Sequence, residues 1–155
     1  MSSITEYNRL AYEAAENGHK DIVNDMIRRD VCNYNQIAFI ATRIERKDIV
    51  DDMINRGADD FNGIARIAAY EGYKDIVDDM IDRGANDFNG IAWKAACGEN
   101  KDIMDDMINR GANNLNDIAL IAAENGDRDI MMDMIRRGVS NSGYLLDILK
   151  DMDSE

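Results

Sequence analysis

At 155 residues the chain is long enough for one ordinary domain, and 45% apolar with 32% charged residues is a globular balance rather than a disordered one. A formal charge of −13 with no basic stripe argues against binding nucleic acid or anionic membrane surfaces, since both repel carboxylates. Cys32 and Cys97 are too few and too scattered for a disulfide framework or a metal site, which fits reduced thiols in the cytoplasm. No apolar run approaches the about 20 residues that span a bilayer, and the opening MSSITEYN lacks the basic-then-apolar pattern of a secretory leader.

From Tyr7 onward the sequence repeats every 27 residues without slippage, in copies 7–33, 34–60, 61–87, 88–114 and 115–141. A fixed period of this size is the signature of a solenoid whose units touch only their neighbours, and the whole chain reads as a single repeat domain, 1–155. Within the first copy the apolar residues form two clusters, Leu10, Ala11, Ala14, Ala15 and then Ile22, Val23, Met26, Ile27. Each has the spacing of one helical face, so each copy is predicted to be a pair of short antiparallel helices. Helix A is expected near 9–17 and helix B near 20–29, with later pairs at steps of 27.

The ends of these helices carry their own signals. Asn8, Asn35, Asn62, Asn89 and Asn116 recur just before helix A and are predicted to cap it. The residue before each is mostly aromatic and stands where a hydrophobic staple would begin, with Tyr34 reaching Phe39 and Phe88 reaching Trp93. Gly57, Gly84, Gly111 and Gly138 are predicted to end helix B in the left-handed region, and the first copy has Asp30 there instead. Two unvaried alanine columns, Ala11, Ala38, Ala65, Ala92, Ala119 and Ala14, Ala41, Ala68, Ala95, Ala122, are expected where neighbouring A helices touch, with the Ile22 and Met26 columns filling the layer between helices. After Asn141 the run SGYLLDILKDMDSE starts a sixth helix A with no helix B, so 142–155 is expected to be a capping helix. The polar set Arg9, Glu13, Glu16 and Lys20 suits a cap at the other end, and capped ends favour a monomer.

Two sets of residues bear on function. Aspartates open helix B in every copy, at Asp21, Asp48, Asp75, Asp102 and Asp129. A second set, Asp25, Asp52, Asp79, Asp106 and Asp133, lies four residues before Arg29, Arg56, Arg83, Arg110 and Arg137. With Asp51, Asp78 and Asp105 beside them they form an acidic ridge. That ridge is foremost a solvated face with ion pairs along each helix, alternatively a landing strip for a basic partner, and least of all a calcium site, since its carboxylates are spread along a helix rather than converging from one loop. The other set varies from copy to copy. Its columns are Tyr12, Phe39, Arg66, Trp93, Leu120; Glu13, Ile40, Ile67, Lys94, Ile121; Glu16, Arg43, Tyr70, Cys97, Glu124; and His19, Arg46, Tyr73, Asn100, Asp127. Positions free to vary over a fixed core are expected to face solvent. Arg66, Tyr70, Tyr73, Trp93 and Lys94 are then the candidate partner-binding cluster, since aromatic and arginine residues dominate binding hot spots. No nucleophile–base pair, phosphate loop or metal-ligand spacing is present, so neither catalytic residues nor a metal or other cofactor are expected.

The stretch AAENGHKDIVNDMIRR and the pairs Gly57-Ala58, Gly84-Ala85 and Gly111-Ala112 resemble the second half and closing turn of an ankyrin repeat. The opening Thr-Pro-Leu-His of that repeat is missing and the linker is shorter, so the projecting β-hairpin is expected to be largely lost. Repeats of this short type, with Gly-Ala-Asn-Asp-aromatic-Asn linkers, resemble those of large DNA viruses of amoebae. The resemblance implies an all-α ankyrin-like solenoid with a concave face lined by helix A and the A–B turn. It also implies a non-catalytic protein-binding role, as in a viral protein that targets a host factor in the host cytoplasm. A structural or self-assembling scaffold is the alternative.

Overall fold

A computed structural model describes residues 4–28 and 33–154, with the side chains of residues 4, 5, 7, 8, 11, 15, 26 and 27 outside that description. Readings that fall on Tyr7, Asn8, Ala11, Ala15, Met26 and Ile27 as side chains, and on Arg29, Asp30 and Cys32, therefore lie outside the described residues. The rest is all-α, and no strand occurs among the described residues. Among the described residues eleven helices follow one another: α1 (Ile4–Glu16), α2 (Lys20–Arg28), α3 (Tyr34–Arg43), α4 (Lys47–Asn55), α5 (Phe61–Glu71), α6 (Lys74–Asp82), α7 (Phe88–Cys97), α8 (Lys101–Asn109), α9 (Leu115–Asn125), α10 (Arg128–Arg136) and α11 (Ser142–Met152). Odd and even helices through α10 are helix A and helix B of successive copies.

The chain divides into two compact units, one of Met1–Ala68 with Asp75–Ala85 and one of Ala69–Lys74 with Asn86–Glu155. In the first, α1 packs on α2, α3 on α4, and α1 on α3. In the second, α7 packs on α8, α9 on α10, α7 on α9, and α11 on both α9 and α10. In these pairs helix A meets its own helix B and a neighbouring helix A. The columns explain why. Ala38, Ala65, Ala92, Ala119 and Ala41, Ala68, Ala95, Ala122 are fully buried, as are Ile37, Ile64, Ile91 and Ile118. Methyl side chains let helices approach closely, and Ile49, Ile76, Ile130 with Met53, Met80, Met107, Met134 fill the space beside them at interior density. The first pair differs, because Leu10 and Ile22 stand exposed at positions where the later copies bury isoleucine. Its polar set is real, with Arg9 and Glu13 paired, but it does not cover those two side chains.

Helix B ends as the glycines require. Gly57, Gly84, Gly111 and Gly138 have φ of +118, +114, +115 and +81. The following residue bonds back across the turn, as Ala58 N–H does to Met53 O at 2.9 Å, while Gly57 N–H donates to Ile54 O at 3.0 Å. This pair of bonds is a Schellman motif, and its apolar partner is the buried Ala58, Ala85, Ala112 or Val139.

The caps of helix A are a correction. Asn35, Asn62, Asn89 and Asn116 are the second residues of α3, α5, α7 and α9, and Asn8 lies inside α1. The cap is the residue before the aromatic one. Asn33 accepts from Gln36 N–H at 3.3 Å, Asp60 from Gly63 N–H at 2.8 Å, and Asp87 from Gly90 N–H at 3.0 Å. The aromatic is then the first helical residue, which rules out a staple between Tyr34 and Phe39 or between Phe88 and Trp93. Phe39 instead sits so close to Gly63 that a Cβ there would meet its ring at 2.7 Å.

The displaced asparagines have another task. Asn35 Oδ1 accepts from the backbone N–H of Asp59 at 2.9 Å and of Asp60 at 3.0 Å. Asn89 Oδ1 accepts from Asn113 N–H at 2.7 Å, and Asn116 Oδ1 from Ser140 N–H at 3.0 Å. Each one holds the linker that leads into the next copy, satisfying backbone donors that no helix would use.

Candidate functional site

The acidic ridge is an ion-pair ladder. Along single helices Arg56, Arg83 and Arg110 donate to Asp52, Asp79 and Asp106 at 3.2 Å, and Arg137 to Asp133 at 2.9 Å, as the spacing of four predicts. Between copies, Arg83 reaches Asp51 at 3.4 Å in the first unit. In the second, Lys74 reaches Asp106 at 3.1 Å. A closed ring also forms there. Lys101 Nζ lies 2.9 Å from Asp105 and 3.4 Å from Asp133, and Arg137 bonds the same two carboxylates at 2.8 and 2.9 Å. Burial pushes Asp133 and Asp106 up, but the Arg137 and Lys101 bonds, and the Lys74 and Arg110 bonds, more than reverse this and leave both carboxyls below their usual range. Asp51 and Asp105 are thus occupied by arginines, and Asp78 also has an interaction partner. Exposed pairs of this kind contribute little each; their main effect is to neutralise the face.

The A–B turn is structural as well. Arg46 Nη1 donates to Gly18 O at 2.9 Å, and Asn100 Nδ2 donates to Tyr70 O at 2.8 Å and to Ala69 O at 3.0 Å. Asp127 Oδ1 caps α10 by accepting from Ile130 N–H at 3.0 Å. Arg46 also grips Asp48 through two bonds of 2.9 and 3.0 Å, and this guanidinium holds the Asp48 carboxyl down at about 2. The expectation that this variable column faces solvent fails for these three residues. Arg46 and Asn100 bridge to the turn of the preceding copy by different bonds, while Asp127 is a local cap.

The helix A face is different. Tyr70 is 48% exposed, Trp93 36% and Leu120 44%. Lys94 Nζ lies 5.0 Å from the Trp93 ring centroid and 5.9 Å from that of Tyr70, within cation–π range of both. The structure therefore brings together Tyr70, Trp93 and Lys94 of the five predicted residues. Tyr73 is half-buried at the start of helix B and has a partner of its own. Arg66 is half-buried, belongs to the first unit and is likewise engaged. Beyond Trp93 a groove of about 450 Å³ opens between α7 and α9, lined by Trp93, Gly90, Leu120, Ile121, Asp117 and Glu124. Leu120 and Glu124 belong to the variable columns; Asp117 escaped notice because glycine holds its place in two other copies.

Among the described residues no group of three or more histidine, cysteine, aspartate or glutamate side chains could hold a metal ion. His19 is exposed, and Cys97 is a half-buried thiol that burial pushes above its ordinary pKa. No helix among the described residues is long and apolar enough to cross a membrane. No protein-family model matches the chain, and no curated protein matches it.

Proposed function

We propose that this chain is a non-catalytic protein-binding module, an ankyrin-like solenoid that seats a partner protein on its helix A face. The observation that carries this reading is the chemistry of that face. Large aromatic and aliphatic side chains stay exposed on α5, α7 and α9 above a fixed alanine core, while the helix B face is neutralised by its own ion pairs. Exposed aromatics bracketing a cation are the residues that anchor interfaces. The test is capture of a partner from lysate by the immobilised protein. Tyr70→Ala with Trp93→Ala is expected to abolish it with the helical circular dichroism intact, while Asp78→Asn with Asp105→Asn changes it modestly. Capture that survives the aromatic changes and is lost with the aspartates moves the site to helix B.

A self-assembling scaffold is the second reading, favoured by the exposed Leu10 and Ile22 at columns buried elsewhere. Light scattering separates the two. A mass near 17.5 kDa supports the binding module, and a multiple of it supports the scaffold.

A further inference from the structure

The groove between α7 and α9 has a defined pattern. Asp117, Leu120, Ile121 and Glu124 line it from α9. They stand at i, i+3, i+4 and i+7, which is one stripe of a helix, with the two carboxylates about 10 Å apart along the axis and the two apolar residues between them. Across the groove stands Trp93. The helix B aspartates Asp51, Asp52, Asp79, Asp105, Asp106 and Asp133 all have basic partners. Asp117 and Glu124, by contrast, form no ion pair among the described residues, and both are exposed. Lys94, the nearby cation, is held against the Trp93 and Tyr70 rings and does not line the groove.

Resting on the protein-binding reading of this face, we infer that the groove seats a basic amphipathic helix of the partner. Such a helix offers large aliphatic side chains at two adjacent positions of one face and a lysine or arginine one turn to either side. The aliphatic pair fits between Trp93 and Leu120, and the two cations meet Asp117 and Glu124. A helix suits the site because the groove lies between two packed helices, α7 and α9, the arrangement in which an amphipathic helix docks as a third. The excess of negative charge on the whole chain, −13, steers a cationic segment toward it. The unpaired carboxylates then decide where it lands.

Trp93 is the only tryptophan in the chain, so its emission reports on the groove directly. The probes are three synthetic amphipathic helices with one leucine face, flanked by lysine, by glutamine or by glutamate. The lysine helix is expected to shift Trp93 emission to the blue with saturation, and more weakly as salt rises. Asp117→Asn with Glu124→Gln is expected to weaken it about tenfold with circular dichroism unchanged, and Leu120→Ser to weaken it similarly. Equal binding of the glutamine or glutamate helix would overturn the cationic specificity while leaving a protein-binding face. So would lysine-helix binding that ignores the Asp117 and Glu124 changes, because that is attraction to net charge alone. If none of the helices moves the emission at millimolar concentration, the groove is not a helix seat. If lysate capture also ignores the Tyr70 and Trp93 changes, the binding module itself falls.

Discussion

Asp87 and Gly90 work as a pair, as do Asp60 and Gly63. The carboxylate caps the helix by lying over its third residue, and it fits because that residue has no Cβ; one built at Gly63 would stand 2.6 Å from Asp60 Oδ2, and Gly90 is as tight against Asp87. Where the third residue is Asp117, the cap is Asn114, which turns away to donate to Asn89 O at 3.1 Å and leaves its own Oδ1 buried without a partner. Asp87→Ala is expected to cost about 1 kcal/mol in urea unfolding. Gly90→Ala is expected to destabilise although alanine normally gains about 1 kcal/mol over glycine inside a helix; a stabilised variant would show that the close approach does not matter. Glu99 makes the opposite case. It holds φ +60 in a turn where Gly72 and Gly126 stand in two other copies, so Glu99→Gly is expected to raise stability by about 0.5–1 kcal/mol. Asp48 sets an acid limb. Its carboxyl is depressed to about 2 by Arg46, so its contribution is whole above the ordinary carboxylate range and is lost as pH falls through about 2. Asp48→Asn is expected to flatten the loss of urea midpoint between pH 5 and pH 2, and an NMR titration of Asp48 checks the value itself.

At the level of helices, the sequence is a good guide wherever a local rule has one answer. Pairs of helices, their breaks and the alanine core follow from apolar spacing and from the glycines that end helix B at positive φ, and the structure has all of them where described. The start of helix A was misplaced because the segment Asp-Phe-Asn holds two residues able to cap, two positions apart. The structure takes the earlier of the two in every later copy, with Asn33 capping over Gln36 as Asp60 and Asp87 cap over Gly63 and Gly90. The linker-holding role of Asn35 and Asn89 was hidden for another reason: its partners lie 24 residues ahead, beyond any local pattern. The ladder on helix B had the same difficulty. The pairs along each helix were legible from the spacing of four, whereas those between copies were not, because their bases lie 32 residues away, as Arg137 does from Asp105. Tyr70, Trp93 and Lys94 were legible because they vary over a fixed core; the same signal misled at Asn100 and Arg46, whose variation conceals a shared bridging task. The core itself is tested by Ala92→Leu. Extra methylene groups at a fully buried contact are expected to cost about 1–3 kcal/mol, and melting within a degree or two of the parent would mean α7 and α9 have room to spare.

For the molecule as a whole, charge and recurrence are the governing features. Eighteen lysines and arginines set against 31 carboxylates give −13, and many of those bases are spent on the ladder. No retention of a random DNA duplex is expected in a gel shift at physiological salt, and micromolar retention would contradict the charge argument. The ion pairs that join copies recur at a fixed separation of 32 residues, for Asp51 to Arg83, Lys74 to Asp106 and Asp105 to Arg137, while the 24-residue bonds of Asn35, Asn89 and Asn116 close within their own copies. The third and fourth copies therefore each carry one half of a bond made forward and one half of a bond received from behind. Unequal crossing-over within such a gene adds or removes whole copies without stranding a donor or an acceptor at the new junction. Length is then free to change by whole copies while point substitution reshapes the exposed columns, so a new outer surface can arise without rebuilding the core beneath it.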